Sequence, residues 1–360
     1  MKFKRFGIIG GGLLGRLASF LLVEGGHSVS IFEKSGLSPS LGRNRSAAFT
    51  SAGLLSPFTE KETGGEYVFN LGMKSMNILR VVDKLVSRSI GYGIGFKQLG
   101  CLIVSSVNDR SYAHRLFQRI DFKQTVMTKE RALSYEPNLA SNLAAWFIPD
   151  EGHLNPTIAM KNLHSASLNK QCDGKAQWYF NCEINEFGPG WIKTKEKKLL
   201  FDWVLDFRGL GTTDNSIRGV RGENFLLKVP KGFTLKYPIR FIHPRAKVYI
   251  VPREEDTILV GSTEIESEDL SEVSVESALE LLGAARFILP VISEARIIGM
   301  DCNLRPANMD NLPKKEVVDG LISINGLFRH GWLLAPALLC SLFEEIDLKF
   351  SGLINEIYES

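Results

Sequence analysis

The stretch RFGIIGGGLLGR, Arg5 to Arg16, decides the fold. Arg5 to Ile9 is a short apolar run that reads as a strand, and Gly10 to Gly15 reads as a tight glycine turn. Leu13 to Glu24 then carries apolar residues at helical spacing, and Ser28 to Phe32 reads as a second strand. The result is a β-α-β unit whose turn satisfies GxGxxG. Gly10 permits the tight turn, Gly12 lets the backbone approach a pyrophosphate at the helix N-terminus, and Gly15 lets helix and strand pack closely. Glu33 stands at the end of the second strand, where an acid accepts hydrogen bonds from ribose hydroxyls. The fingerprint predicts a dinucleotide and suits NAD and FAD equally.

Outward from this unit, 360 residues with 44% hydrophobic content suggest an ordinary globular chain of two domains. The net charge of +3 is spread along the chain, so nothing resembles the basic footprint of a nucleic-acid binder. Cys101, Cys172, Cys182, Cys302 and Cys340 form no CxxC pair and no metal-ligand spacing, which predicts free thiols in a reducing, cytoplasmic setting and no metal. The opening residues imitate a secretory signal, but Arg16 interrupts the apolar run and no small-residue cleavage site follows. No apolar segment reaches the roughly 18 residues that span a bilayer.

Further along, Gly36 to Pro57 is a polar, small-residue loop of the kind that carries function, and Tyr67 to Ser87 recovers a helical rhythm. After Ile90 the chain turns to short β-like runs, CLIVSS and AAWFIP, and VYIVPR and TILVGST flank the turn EEDT. A helix is expected over Val273 to Phe287, and KTKEKK, Lys193 to Lys198, reads as a solvated hairpin. Trp203 to Phe207 reads as a buried strand returning to the dinucleotide-binding sheet. The expected architecture is therefore α/β: a Rossmann-like nucleotide domain (1–88, 145–220 and 300–360) interleaved with an antiparallel-sheet substrate domain (89–144 and 221–299). The discontinuity and the position of the fingerprint favour FAD over NAD.

Distant segments add a resemblance. The fingerprint with Glu33, SAGLLSP (Ser51 to Pro57), PDEGHLNP (Pro149 to Pro156), YIVPR (Tyr249 to Arg253), LRPANMDNLP (Leu304 to Pro313) and NGLFRHGWLLAP (Asn325 to Pro336) together resemble the D-amino-acid oxidase family of FAD-dependent amine oxidases. Within it, they are most similar to the glycine oxidase branch that serves thiamine biosynthesis. The resemblance implies noncovalent FAD held by Leu13 and Leu14, by Glu33 and Lys34 at the ribose, by Ala47, Ala48, Ala52, Gly53 and Leu54 on the long loop, and by Ile184 near the adenine. It further implies that Leu327, Phe328, Arg329, His330, Gly331, Trp332 and Leu333 wrap the flavin pyrimidine.

For the substrate, the resemblance implies Arg305 as carboxylate anchor, Tyr249 as its hydroxyl partner and Arg329 as a second basic residue. The implied reaction moves a hydride from the substrate α-carbon to flavin N5. Water then converts the imino acid to an oxo acid, glyoxylate in the case of glycine, and ammonia. Oxygen is reduced to hydrogen peroxide, and dehydroglycine could supply thiamine thiazole synthesis. No side chain is expected to act as acid or base; His330 and His153 read as structural. A D-amino-acid or sarcosine-type oxidase or dehydrogenase is the alternative, followed by a flavin module that oxidises no amine. The same likeness suggests a homo-oligomer, a tetramer. Three residues depart from the pattern. Glu264 stands at the pocket wall where an apolar residue is expected, free to meet a substrate amine, to favour a cationic side chain or to turn to solvent with Glu266. Arg208 sits unexpectedly in DFRGLGT, and Cys302 lies one position out of register for covalent flavin attachment and is expected to be buried.

Overall fold

A computed structural model describes residues 3–37, 45–122, 126–169, 174–244 and 247–348. The anticipated β-α-β unit is present with strand Arg5–Ile9, helix Leu13–Glu24 and strand Ser28–Phe32, the two strands pairing in parallel. They lie inside a six-stranded sheet ordered Lys314–Val318, Leu321–Asn325, Trp203–Asp206, Arg5–Ile9, Ser28–Phe32, Lys175–Tyr179. Trp203–Asp206 pairs in parallel with Arg5–Ile9, so a segment almost 200 residues away in sequence completes the site of the glycine loop. Helix Leu13–Glu24 is apolar almost all round because it is covered on several sides, by Pro156–Ser167 and Gly331–Glu345 as well as by the sheet.

The second sheet has seven strands, in the order Arg296–Ala307, Arg218–Lys228, Thr257–Gly261, Lys247–Pro252, Ile239–Ile242, Cys101–Ser106, Leu143–Ile148. All its pairings are antiparallel except Ile239–Ile242 with Cys101–Ser106. The EEDT turn places Glu255 and Asp256 at φ 57° and 56°, the left-handed pair that a twisted two-residue hairpin requires. Helix Val275–Ile288 covers this sheet and shares its apolar core. The strands Leu143–Ile148 and Arg296–Ala307 cross the boundaries expected at 145 and 300, and both belong to the seven-stranded sheet.

One helical stretch begins before its apolar rhythm does. It runs Pro57–Ile90, with Gly65 at φ 63° as a kink, whereas the rhythm begins only near Tyr67. Gly65 leaves the helical conformation there, so the rhythm from Tyr67 marks the helix after the kink and a short segment from Pro57 precedes it. Among the described residues no helix is long and apolar enough to cross a membrane. Cys101, Cys182, Cys302 and Cys340 are free thiols; Cys172 lies outside the described residues.

Candidate active site

A cavity of about 970 Å³ opens where the two sheets meet, lined from one side by Ile9 and Phe32 and from the other by Asn224 and Tyr249. The glycine loop forms part of its wall. Gly10 has φ +100°, and a Cβ there would fall 2.6 Å from the Phe207 carbonyl oxygen. A Cβ on Gly15 would fall 2.0 Å from the Gly10 carbonyl oxygen, so helix and loop touch as the fingerprint requires. Gly12 begins the helix with no side-chain cap, which leaves the N-terminal amides open to an anion in the cavity. Glu33 braces the loop: its carboxylate accepts the Gly11 N–H at 2.6 Å and the Ser35 N–H at 2.8 Å while lining the cavity. From behind, the buried Arg16 donates to the Gly11 and Met160 carbonyls and lies 5.3 Å from the ring centroids of both Phe49 and Trp178. Burial pulls its pKa down to about 10, with Glu33 acting in the other direction. The residue that breaks the apparent signal sequence is thus a clamp on the loop.

The long loop is tied down by polar side chains of the second sheet. Asn224 donates to the Thr50 carbonyl at 2.7 Å, Asn303 to the Thr50 hydroxyl at 3.0 Å, and Arg253 to the Ala52 carbonyl at 2.6 Å. Ala47, Ala48, Ala52, Gly53 and Leu54 consequently line the cavity, as do Leu13, Leu14, Lys34, Ile184 and the whole run from Leu327 to Leu333. Helix Gly331–Glu345 starts in that run with no side-chain cap and no acid in its first turn, directing a positive dipole end at the cavity.

Among the described residues five arginines line the cavity: Arg45, Arg208, Arg240, Arg305 and Arg329. Four are matched by acids. Arg45 pairs with Asp301, Arg208 with Asp206, Arg240 with Glu60, and Arg329 with both Glu60 and Glu264. Arg305 differs: among the described residues no carboxylate lies within ion-pairing distance of it. Its guanidinium donates to the Ser262 hydroxyl at 2.6 Å and to the carbonyls of Thr263 at 3.0 Å and Arg221 at 3.2 Å. Burial draws its pKa below the ordinary arginine value, Tyr249 opposing, but a guanidinium stays charged throughout. The Tyr249 hydroxyl donates to the same Ser262 oxygen at 2.7 Å, so Tyr249 and Arg305 meet at one point of the wall.

Glu60 and Arg240 were not singled out in the sequence. Glu60 accepts from Arg329 at 2.8 Å and from Arg240 at 2.7 Å, with His330 Nδ1 3.4 Å from its second oxygen. Its burial alone would raise its pKa, but the two guanidinium groups hold it well below the usual carboxylate range. An acid in a first helical turn passes as an ordinary dipole partner, which hid it. The charge inside the apolar run YPIRFI was the available signal for Arg240.

The departures noted in the sequence have structural accounts. Glu264 is exposed, as Glu266 is, but it does not stand alone: it accepts from Arg329 at 2.7 Å, while Glu266 pairs with Arg218. Arg208 folds back on its own strand end, donating to both Asp206 oxygens at 2.8 and 2.9 Å, with its guanidinium 4.6 Å from the Phe187 ring centroid. Cys302 is only half-buried rather than enclosed, because its strand is the sheet edge, and its thiol reaches the Ser271 carbonyl at 2.9 Å outside the cavity lining. His330 and His153 are buried and pulled down to about 4 and about 3 by burial, so both are neutral at pH 7.

A glycine-loop sheet, an open helix N-terminus and an anion-seeking guanidinium around one cavity define a dinucleotide-dependent oxidoreductase of the mixed α/β kind. The profile of the FAD dependent oxidoreductase family (DAO) matches residues 5–339, and the chain belongs to that family, with FAD as its cofactor. It is 30% identical over 332 residues to a Rhizobium etli protein named "Putative thiamine biosynthesis oxidoreductase ThiO", covering 91% of this chain and 92% of that one. It is 26% identical over 365 residues to a glycine oxidase of Geobacillus kaustophilus, covering 95% and 93% of the two chains. The crystal structure of a glycine oxidase from Bacillus cereus shares the fold with a TM-score of 0.79, at 24% identity over 96% of each chain.

Proposed function

We propose that the protein oxidises glycine and other small primary or secondary amines to an oxo acid and hydrogen peroxide, releasing ammonia from a primary amine and the corresponding primary amine from a secondary one. One water and one oxygen are consumed for each glycine converted to glyoxylate. The observation that carries this reading is Arg305: it is the one described arginine of the cavity wall without a carboxylate, so it suits the carboxylate of an amino acid. Tyr249, donating beside it, adds a hydroxyl to the same anchor. Together they fix the amino acid by its carboxylate and so orient its α C–H bond, which is the protein's chief contribution to such chemistry.

FAD, when bound, accepts the hydride and passes the electrons to oxygen. In our reading Gly10, Gly12, Leu13 and Leu14 receive its pyrophosphate while Gly15 holds the turn closed behind them, Glu33 and Lys34 receive its ribose, and Ala47, Ala48, Ala52, Gly53 and Leu54 lie along it, with Ile184 near the adenine. Leu327 to Leu333 meet the pyrimidine edge. Its attachment is noncovalent, since Cys302 stands outside the cavity lining. No side chain acts as acid or base. The nucleotide and substrate domains interleave, with the strands Leu143–Ile148, Arg218–Lys228 and Arg296–Ala307 assigned whole to the substrate domain, and the enzyme is cytoplasmic and a homo-oligomer, a tetramer by its likeness to glycine oxidases. Its place would be the supply of dehydroglycine for thiamine thiazole formation.

The test is anaerobic bleaching of the yellow protein against glycine, sarcosine and a panel of D-amino acids, with peroxide assayed on admitting air. Bleaching by glycine with peroxide release is the expected result. Bleaching by larger D-amino acids alone would transfer the specificity to a D-amino-acid oxidase, and bleaching by no amine would overturn the reading.

A further inference from the structure

We propose that Glu60 and Glu264 make the pocket selective for amines carrying a single carboxylate, by cancelling Arg329 and leaving Arg305 as the one unmatched guanidinium among the described residues of the wall. The inference rests on the amine-oxidase reading and names its substrate class.

Along the wall the charges alternate: Glu264, Arg329, Glu60, Arg240, joined by contacts of 2.7, 2.8 and 2.7 Å. That row sums to zero. Arg305 is set apart from it, bound to a hydroxyl and two carbonyls that supply no charge. A ligand carboxylate satisfies Arg305; a second anionic group would have to turn to Arg329. There the acid is the more accessible partner, Glu264 being 46% exposed and Arg329 only 19%. An anion approaching this wall therefore meets a carboxylate before the guanidinium, and like charges at such separation repel. Arg305 senses both Arg329 and Glu264, so the three groups share one electrostatic neighbourhood. Arg45 and Arg208 offer no alternative, since Asp301 and Asp206 hold them. Lys34 and Lys247 line the cavity too, but both are exposed ammonium groups and make strongly hydrated, weakly directing charges.

The experiment uses the FAD-loaded protein and its Glu264→Gln variant. Glycolate and malonate, one and two carboxylates, are titrated by calorimetry and by perturbation of flavin absorbance, and glycine and iminodiacetate are compared as substrates. Glutamine keeps the size of the side chain but removes its charge, which exposes Arg329 to the second carboxylate. The expected result is a shift in the ratio of the two Kd values toward malonate by about tenfold, equivalent to about 1.4 kcal/mol, shrinking as salt is added. The kcat/KM ratio of iminodiacetate to glycine moves the same way. A ratio that shifts less than about threefold at the low salt where such effects are largest, or equal gains for both anions, overturns the inference. Failure of every amine as substrate with the Kd ratio shifted would sink the amine-oxidase reading and leave the charge assignment standing; glycine oxidation with an unmoved ratio would do the reverse.

Discussion

At the scale of single residues, the site is an exercise in matching charge, and its consequences differ for Arg305 and Glu60. Arg305 donates to neutral acceptors, so removing it costs the fold little but deprives the substrate of its anchor. Arg305→Ala should lower kcat/KM for glycine by roughly 10²-fold, the worth of about 3 kcal/mol of charge-assisted hydrogen bonding, with FAD content unchanged. Steady-state kinetics beside a flavin-to-protein absorbance ratio checks both halves, and wild-type kinetics would remove Arg305 from the site. Glu60 is the opposite case: buried between Arg329 and Arg240, it leaves two guanidinium groups short of an anion when neutralised. Glu60→Gln should destabilise the protein by about 3 kcal/mol at pH 7, measured by urea denaturation. Because its folded pKa lies below the ordinary value of 4.5, that contribution is complete above pH 4.5 and is lost only in stronger acid, as pH falls through the folded pKa. A variant as stable as the wild type would show Glu60 to be dispensable.

Among the elements, those with strong local signals were legible and those made by distant packing were not. The strand, turn and helix of the glycine loop follow from Arg5 to Glu24 alone, because each position's preference agrees with the tertiary demand on it. The first turns of Pro57–Ile90 were not legible: Gly65 breaks the helical path at φ 63°, as its residue type allows, and the short segment before it carries too few turns for an apolar rhythm. For the site, Arg305, Tyr249 and the Leu327 to Leu333 run were reached through the resemblance, and all reach the cavity. The acids that neutralise Arg329 come from a helix start and a strand end far apart in sequence, and no spacing rule joins Glu60 to Glu264. Two glycines make the distinction between packed and open positions testable. A Cβ on Gly15 would lie 2.0 Å from backbone oxygen, so Gly15→Ala should cost about 2 kcal/mol or more and reduce FAD retention after gel filtration. A Cβ on Gly283, within helix Val275–Ile288, meets nothing within 4 Å, so Gly283→Ala should stabilise by about 1 kcal/mol. Equal effects in denaturant titrations would refute the packing argument.

For the whole molecule, the junction between the two sheets carries a titratable group that the chemistry does not use. Glu151 is fully buried, accepting from the Thr59 N–H at 3.1 Å and the Thr59 hydroxyl at 3.2 Å at the start of the long helix. Arg240, from the seven-stranded sheet, and the Cys101 thiol face it. Burial pushes its pKa up from 4.5 to about 7, with Arg240 and the Thr59 hydrogen bonds opposing. A carboxyl whose folded pKa is raised binds a proton more readily in the folded state. Its stabilisation is therefore full below pH 4.5 and is lost as pH rises through about 7. The buried histidines act in the opposite sense: His330, His153 and His164, pulled by burial to about 4, 3 and 4, favour the folded state above their ordinary value of 6.5 and weaken it as pH falls. Wild-type stability alone would mix these two trends, whereas comparison with Glu151→Gln cancels the histidines. Glutamine keeps a neutral acceptor for Thr59 at every pH. The variant should thus gain on the wild type by about 2 kcal/mol between pH 5 and pH 8, seen as a melting-temperature difference that grows in its favour with pH. A difference constant across that range would mean that Glu151 stays ionised in the folded protein, with Arg240 rather than burial governing the junction.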